Sequence, residues 1–141
     1  MKKVLLIFLI MLVVGCGSNV TNFDTKVVST TIEEKLKGME VIQDSTLTDA
    51  YNLDLTKMDE HLFKQNEDGD LYAIIKTTDK VNVKKLMKEY FGKVREFNTA
   101  YSPERLEILD SRCEKEVGDY LIYIVAKDSD QIYNTILSKI S

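Results

Sequence analysis

The sequence predicts an α+β domain, one antiparallel sheet of two hairpins (about four strands) packed against helices, in the order α-β-β-α-α-β-β-α over residues 29–141. Three observations predict it. Asp68-Gly69 and Gly118-Asp119 each stand between runs of strand-forming residues, as tight hairpins require. Between them, Val83, Leu86, Met87, Tyr90, Val94, Phe97 and Tyr101 recur every three or four residues, the period of an amphipathic helix. Strands in pairs with helices between them fit a sheet covered by helices rather than a parallel α/β fold.

The elements follow in order. Ser29 or Thr30 is placed to cap a first helix, with Ile32, Leu36, Met39 and Val41 on its apolar side. Glu33 and Glu34 lie in its first turn, where the helix dipole favours them. Residues 46–51 read as one short helical turn. Residues 58–64 and 71–76 form the first hairpin, and Leu-Tyr-Ala-Ile-Ile-Lys is rich in strand formers. The long helix follows Asp79; Gly92 inside it costs about 1 kcal/mol relative to alanine, which suggests a close crossing with another element. Ser102-Pro103 restarts a short helix, serine as N-cap and proline at the first position. Residues 112–117 and 120–126 form the second hairpin, and its second strand is apolar on both faces, as a central strand is. Asp128 or Ser129 caps a last helix with Ile132, Tyr133, Ile136, Leu137 and Ile140 inward. Each hairpin is followed by a helix, a weak echo of a β-β-α repeat.

The first 28 residues read differently. Met1-Lys2-Lys3 is a short positive segment, and residues 4–14 are uncharged and apolar. Eleven such residues are too few for a span, which needs roughly 20, but suit a secretory signal. A plain signal would end in an A-x-A-like site; here Val13-Val14-Gly15-Cys16 stands, which resembles a bacterial lipobox. That resemblance implies a signal peptide over residues 1–15, diacylglyceryl transfer to the Cys16 thiol and cleavage between Gly15 and Cys16. Two acyl chains anchor stably where one holds only marginally. The expected location is therefore the outer, extracytoplasmic face of the cell membrane, with residues 16–28 as lipidated N-terminus and tether.

Removing residues 1–15 takes away two lysines and no acid, so the net charge moves from −4 to −6 over residues 16–141. An acidic surface does not attract polyphosphate, so nucleic acid is not an expected partner. With Cys16 acylated, Cys113 is left without a disulfide partner and is expected to be buried as a small apolar residue.

Chemistry is thin in this sequence. The tip Asn66-Glu67-Asp68-Gly69-Asp70 lacks calcium-loop spacing and reads as a solvated turn. His61 is the only histidine and no G-x-S-x-G elbow accompanies it. Ligands for a metal are too few, so neither a metal nor a cofactor is expected. The carboxylate pairs Glu104/Glu107 and Asp128/Asp130 are such as an acidic surface yields by chance. Tyr90, Tyr101, Tyr120 and Tyr123 are candidates for a binding surface, because tyrosine joins an apolar body to a polar tip.

Several short motifs carry a family resemblance. They are Tyr51-Asn52-Leu53-Asp54, the strand Tyr72-Ala73-Ile74-Ile75-Lys76 leading to Asp79, Phe97-x-x-x-Tyr101-x-Pro103-Glu104, and Gly118-Asp119-Tyr120. In that order, and with the lipobox, the chain resembles the lipoproteins carrying domain of unknown function 4358, found chiefly in Gram-positive bacteria. The resemblance covers residues 30–138, and Asn52 stands where the family is expected to carry glycine. It implies an envelope lipoprotein and assigns no catalytic residue. The expected function is a non-catalytic binding or accessory module for an envelope protein, peptide or glycan; the alternative is a carboxylate-dependent hydrolase of wall polysaccharide or peptide.

Overall fold

The computed structural model describes residues 23–141, and the signal and lipidation positions Gly15 and Cys16 lie outside them. Its order is α1 (Thr25–Lys35), β1 (Glu40–Val41), β2 (Glu60–Gln65), β3 (Leu71–Lys76), α2 (Lys80–Tyr101), α3 (Leu106–Asp110), β4 (Cys113–Val117), β5 (Tyr120–Val125) and α4 (Ser129–Ile140). The sheet is antiparallel and runs β1-β2-β3-β5-β4, so the two expected hairpins join through β3 and β5. The α+β class holds, with one more strand than the two hairpins supply.

That strand, β1, corrects the reading of α1. Gly38 takes φ +71° and ends the helical path, and Glu40 and Val41 then pair with Gln65 and Lys64 at the sheet edge. Val41 is therefore a strand residue, 53% exposed, and not the last rung of an apolar helix face. The helix also begins earlier than residue 29. Asp24 is its N-cap, accepting from the N–H groups of Lys26 and Val27. Thr25, Val27, Val28, Thr30 and Thr31 are β-branched and poor helix formers. Burial of Val28 and Ile32 against the sheet supplies what propensity does not.

Alternation along the strands divides the core into two layers. Phe63, Ala73, Ile75, Leu121 and Tyr123 face α2 and α3, together with Leu47 from a single π-turn at Thr46–Ala50. Tyr72, Ile74, Cys113, Ile122 and Ile124 face α1 and α4. Both β3 and β5 are covered on both sides, which is why they read as continuous apolar runs. The helices that follow the two hairpins lie on opposite faces, so the β-β-α echo does not correspond to a repeated packing unit.

Turn chemistry differs between the hairpins. Between β2 and β3 only Gly69 has positive φ (+85°), and the Gly69 N–H reaches the Asn66 carbonyl while the Asn66 side chain accepts from the Asp70 N–H. The five-residue loop 66–70 is one residue shorter than the gap 65–70 expected between the two strands. Between β4 and β5, Gly118 (φ +57°) occupies the first loop position. Asn52 is the one described non-glycine residue with positive φ (+52°), the left-handed region glycine adopts freely. Its turn lets the Leu53 N–H reach the Leu47 carbonyl at 3.0 Å.

Gly92 is exposed, and a Cβ there would meet nothing within 4 Å, so no element crosses it closely. Ser102 and Asp128 occupy cap positions without a side-chain capping bond. With its 22 residues, α2 spans about 33 Å against about 20 Å for a six-residue strand. Its last turns therefore run past the sheet, leaving Phe97 and Tyr101 exposed at 55% and 74%.

The molecule has two poles. At the amino-terminal pole, Phe23 stacks on Tyr120 at the start of β5, with ring centroids 3.8 Å apart. The far pole holds the end of α1, the 66–70 loop, the end of β5 and the start of α4, and Asn66 donates to the Lys37 carbonyl there.

Candidate functional site

The four candidate tyrosines do not form one surface. Tyr90 is 1% exposed and sits in a chain of rings under α2, edge-on to Tyr51, Phe63 and Phe91 at 5.0–5.7 Å. Phe91 continues the chain to Tyr123 at 5.5 Å. Such pairs contribute about 0.5–1.5 kcal/mol each beyond burial, so Tyr90 is a core residue. Tyr120 points to the opposite side of the sheet and meets Phe23. Three positions separate it from Tyr123, and an odd spacing on a strand places side chains on opposite faces. Tyr101 lies on the overhang of α2 against Phe97, at 4.8 Å. Tyr123 alone of the four opens into a groove.

That lateral groove lies between α2 and the edge strand β4 and encloses about 440 Å³. Leu121 and Tyr123 form its floor, and Lys84, Lys88, Arg112 and Glu116 stand on its rim. Glu116 accepts from Lys84 at 2.6 Å and pairs with Lys80 at 2.9 Å; the bonds from these two lysines hold its carboxyl below the usual range. Arg112 is fixed on three sides. Its Nε donates to Glu114 at 2.7 Å, its Nη1 to the Leu109 carbonyl at 3.1 Å, and its guanidinium lies 4.4 Å from the Phe91 ring centre.

A second groove, about 510 Å³, occupies the far pole. Leu36, Ile108, Ala126 and Ile132 give it an apolar floor contributed by α1, α3, β5's exit and α4. Its rim carries Lys35, Lys127 and Asp128, and the half-buried pair Arg105–Asp70 at 2.8 Å closes one side. Arg105 also lies against Gly69, where an added Cβ would stand 3.2 Å from its Nε. The 66–70 tip is thus one wall of a groove rather than a free turn, although Glu67 and Asp68 remain exposed.

The other chemical candidates have structural surroundings. His61 Nε2 lies 2.8 Å from Asp44 Oδ1 and ties β2 to the segment after β1. Burial pushes the Cys113 thiol up to about 11, so it is a weak nucleophile in the folded chain. Glu104 and Glu107 are exposed. Asp128 faces the far groove, while Asp130 stands beside Cys113, so the two do not share a site. Among the described residues no three His, Cys, Asp or Glu side chains are grouped to hold a metal. The strongest polar cluster joins α1 to the sheet: Tyr72 and Lys64 each donate to Oε1 of Glu33 at 2.6 Å. Burial and then the bond to Glu33 drive the Tyr72 phenol far above its ordinary range.

Sequence reading missed the groove cations Lys88, Arg112, Arg105 and Lys127, because each comes from a different element and none sits in a motif. No family model, curated protein or solved structure matches the chain.

Proposed function

We propose that the protein is a non-catalytic binding module, held at the outer face of the cell membrane by an acylated Cys16, with the far-pole groove as its binding face. The observation that carries this reading is the polarity of the domain. Six residues separate Cys16 from Phe23, a stretch that reaches about 25 Å at full extension. Phe23 is fixed to Tyr120 at one end of β5, and the groove floor includes Ala126 at the other end. An anchor at Cys16 thus holds the amino-terminal pole near the bilayer and presents the groove outward, to an envelope protein, peptide or glycan. The resemblance to lipoproteins with domain of unknown function 4358 agrees with this placement.

The hydrolase alternative has less support. A general acid needs a carboxyl raised toward neutral pH beside a second acid. The carboxyl groups that do shift, Glu33, Asp54 and Glu116, all move down, each through hydrogen bonds that favour the charge.

Two experiments test the proposal. Cys16→Ser should leave the protein unacylated and either released from membranes or unprocessed, read by fractionation and intact mass. A photo-crosslinking residue at Gln131, on the far groove, should give a discrete adduct in intact cells, whereas one at Lys57, near the other pole, should not. Normal acylation of Cys16→Ser refutes the anchor; equal labelling at both positions refutes the binding face.

A further inference from the structure

The lateral groove has a feature that packing does not explain. Tyr123 is 96% buried, with 4% of its surface exposed, yet its hydroxyl forms no hydrogen bond with a described residue. A sealed, unpartnered hydroxyl would cost about 1–3 kcal/mol. Among the described residues no buried side-chain oxygen or nitrogen is left unpaired, so the Tyr123 oxygen meets the open space of the groove it lines. It is a donor aimed at a cavity.

The charges around that cavity run against the acidic character of the chain. Lys84, Lys88 and Arg112 line it, and Lys80 reaches Glu116 at its rim, against Glu114 and Glu116, an excess of two positive charges on a chain whose net charge is −4; the Lys115 ammonium lies over Tyr133 on the other face of the sheet. Glu116 is already matched by Lys80 and Lys84, and Glu114 by Arg112. Lys88 has no ion-pair partner among the described residues, and Arg112 keeps Nη2 without a hydrogen bond to a described residue while Glu114 and Leu109 hold Nε and Nη1 and the Phe91 ring lies 4.4 Å from the guanidinium. A fixed guanidinium with one unused amino group recognises an oxyanion without first losing side-chain freedom.

We propose that the lateral groove binds a phosphate group, with the Tyr123 hydroxyl and Arg112 Nη2 as donors and Lys88 as the balancing charge. A phosphate monoester carries about −1.5 to −2 at neutral pH, which matches the local excess. The site is separate from the far-pole groove and does not depend on the lipid anchor. Phosphate chemistry can come from a soluble monoester, with three terminal oxygens, or from a lipid headgroup diester, with two and a single charge; both present non-bridging oxygens to the same donors.

The test uses the full-length protein in neutral detergent, with ring-labelled tyrosine observed by NMR at constant ionic strength. Titrating inorganic phosphate should move the Tyr123 signal along a saturable curve, and matched chloride should not. Lys88→Gln should weaken apparent affinity about tenfold, the loss expected for one charge-assisted contact. Tyr123→Phe, followed by the amide signals of β5, should weaken it similarly, and thermal unfolding establishes that both variants are folded. Competition by phosphatidylglycerol vesicles assigns the natural source to a lipid headgroup; lack of competition assigns it to a soluble phosphate, and either supports the site. A curve that does not saturate, an equal response to chloride, or affinity unchanged in both folded variants overturns the proposal.

Discussion

Replacing Tyr72 with phenylalanine isolates one hydrogen bond at the centre of the molecule. Tyr72 is fully buried on β3 and its hydroxyl donates to Glu33 at 2.6 Å. Phenylalanine keeps the ring and leaves no cavity, so the cost is that of the bond. A bond to a charged acceptor contributes about 1.5–3 kcal/mol. Lys64 still reaches the same oxygen, and the Glu33 side chain is 32% exposed, which favours the lower part of that range. The expected loss is about 2 kcal/mol, or roughly 8 °C in Tm for a domain of this length. Its pH dependence has a definite sign. Burial opposes the Glu33 charge, but the bonds from Lys64 and Tyr72 outweigh it and hold the carboxyl below its usual range. A lowered folded pKa contributes stability above the unfolded value, about 4.3, and loses it as pH falls through the folded value. The gap between parent and variant should therefore narrow toward about 1 kcal/mol once Glu33 is protonated. Urea unfolding followed by circular dichroism, at neutral pH and in acid, measures both quantities. A neutral-pH loss under about 0.5 kcal/mol, or a gap that widens in acid, would refute the reasoning.

Other substitutions probe single features. Gly92→Ala should raise stability by about 0.5–1 kcal/mol in urea unfolding, since the position is helical and exposed, and the new Cβ meets nothing. Asn52→Ala should cost about 1 kcal/mol at φ +52°, whereas Asn52→Gly should remain within about 0.5 kcal/mol of the parent. Cys113, tested in a Cys16→Ser background, should resist iodoacetamide at neutral pH and react at once in denaturant, because burial raises its thiol to about 11.

Much of the fold was legible because its largest elements are periodic. Val83, Met87 and Tyr90 repeat at helical spacing and are buried, and residues 71–76 coincide with β3. The period of α2 continues through Phe97 and Tyr101, but there the sheet has ended, and sequence spacing carries no information on where a partner layer stops. Two residues cannot show a period, so β1 was invisible. The start of α1 was hidden by its β-branched composition, although Asp24 was a readable cap. The site was less legible than the fold. Tyr120 and Tyr123 differ by an odd number on a strand, which already separates their faces, but no spacing could have brought Lys88 and Arg112 to Tyr123, because that meeting is made by the docking of α2 on the sheet.

The outer strand β4 has a consequence for chains crowded side by side. The outer edge of β4 carries Glu114, Lys115 and Glu116, all exposed. In a twofold antiparallel union of two copies, facing side chains must share a face, so even-numbered residues meet even-numbered ones. Every such register that overlaps more than one residue of β4 then sets glutamate against glutamate, a directly opposed like charge. Fusion of two sheets into one continuous ribbon is therefore opposed by charge at the place where unsatisfied backbone groups would most invite it.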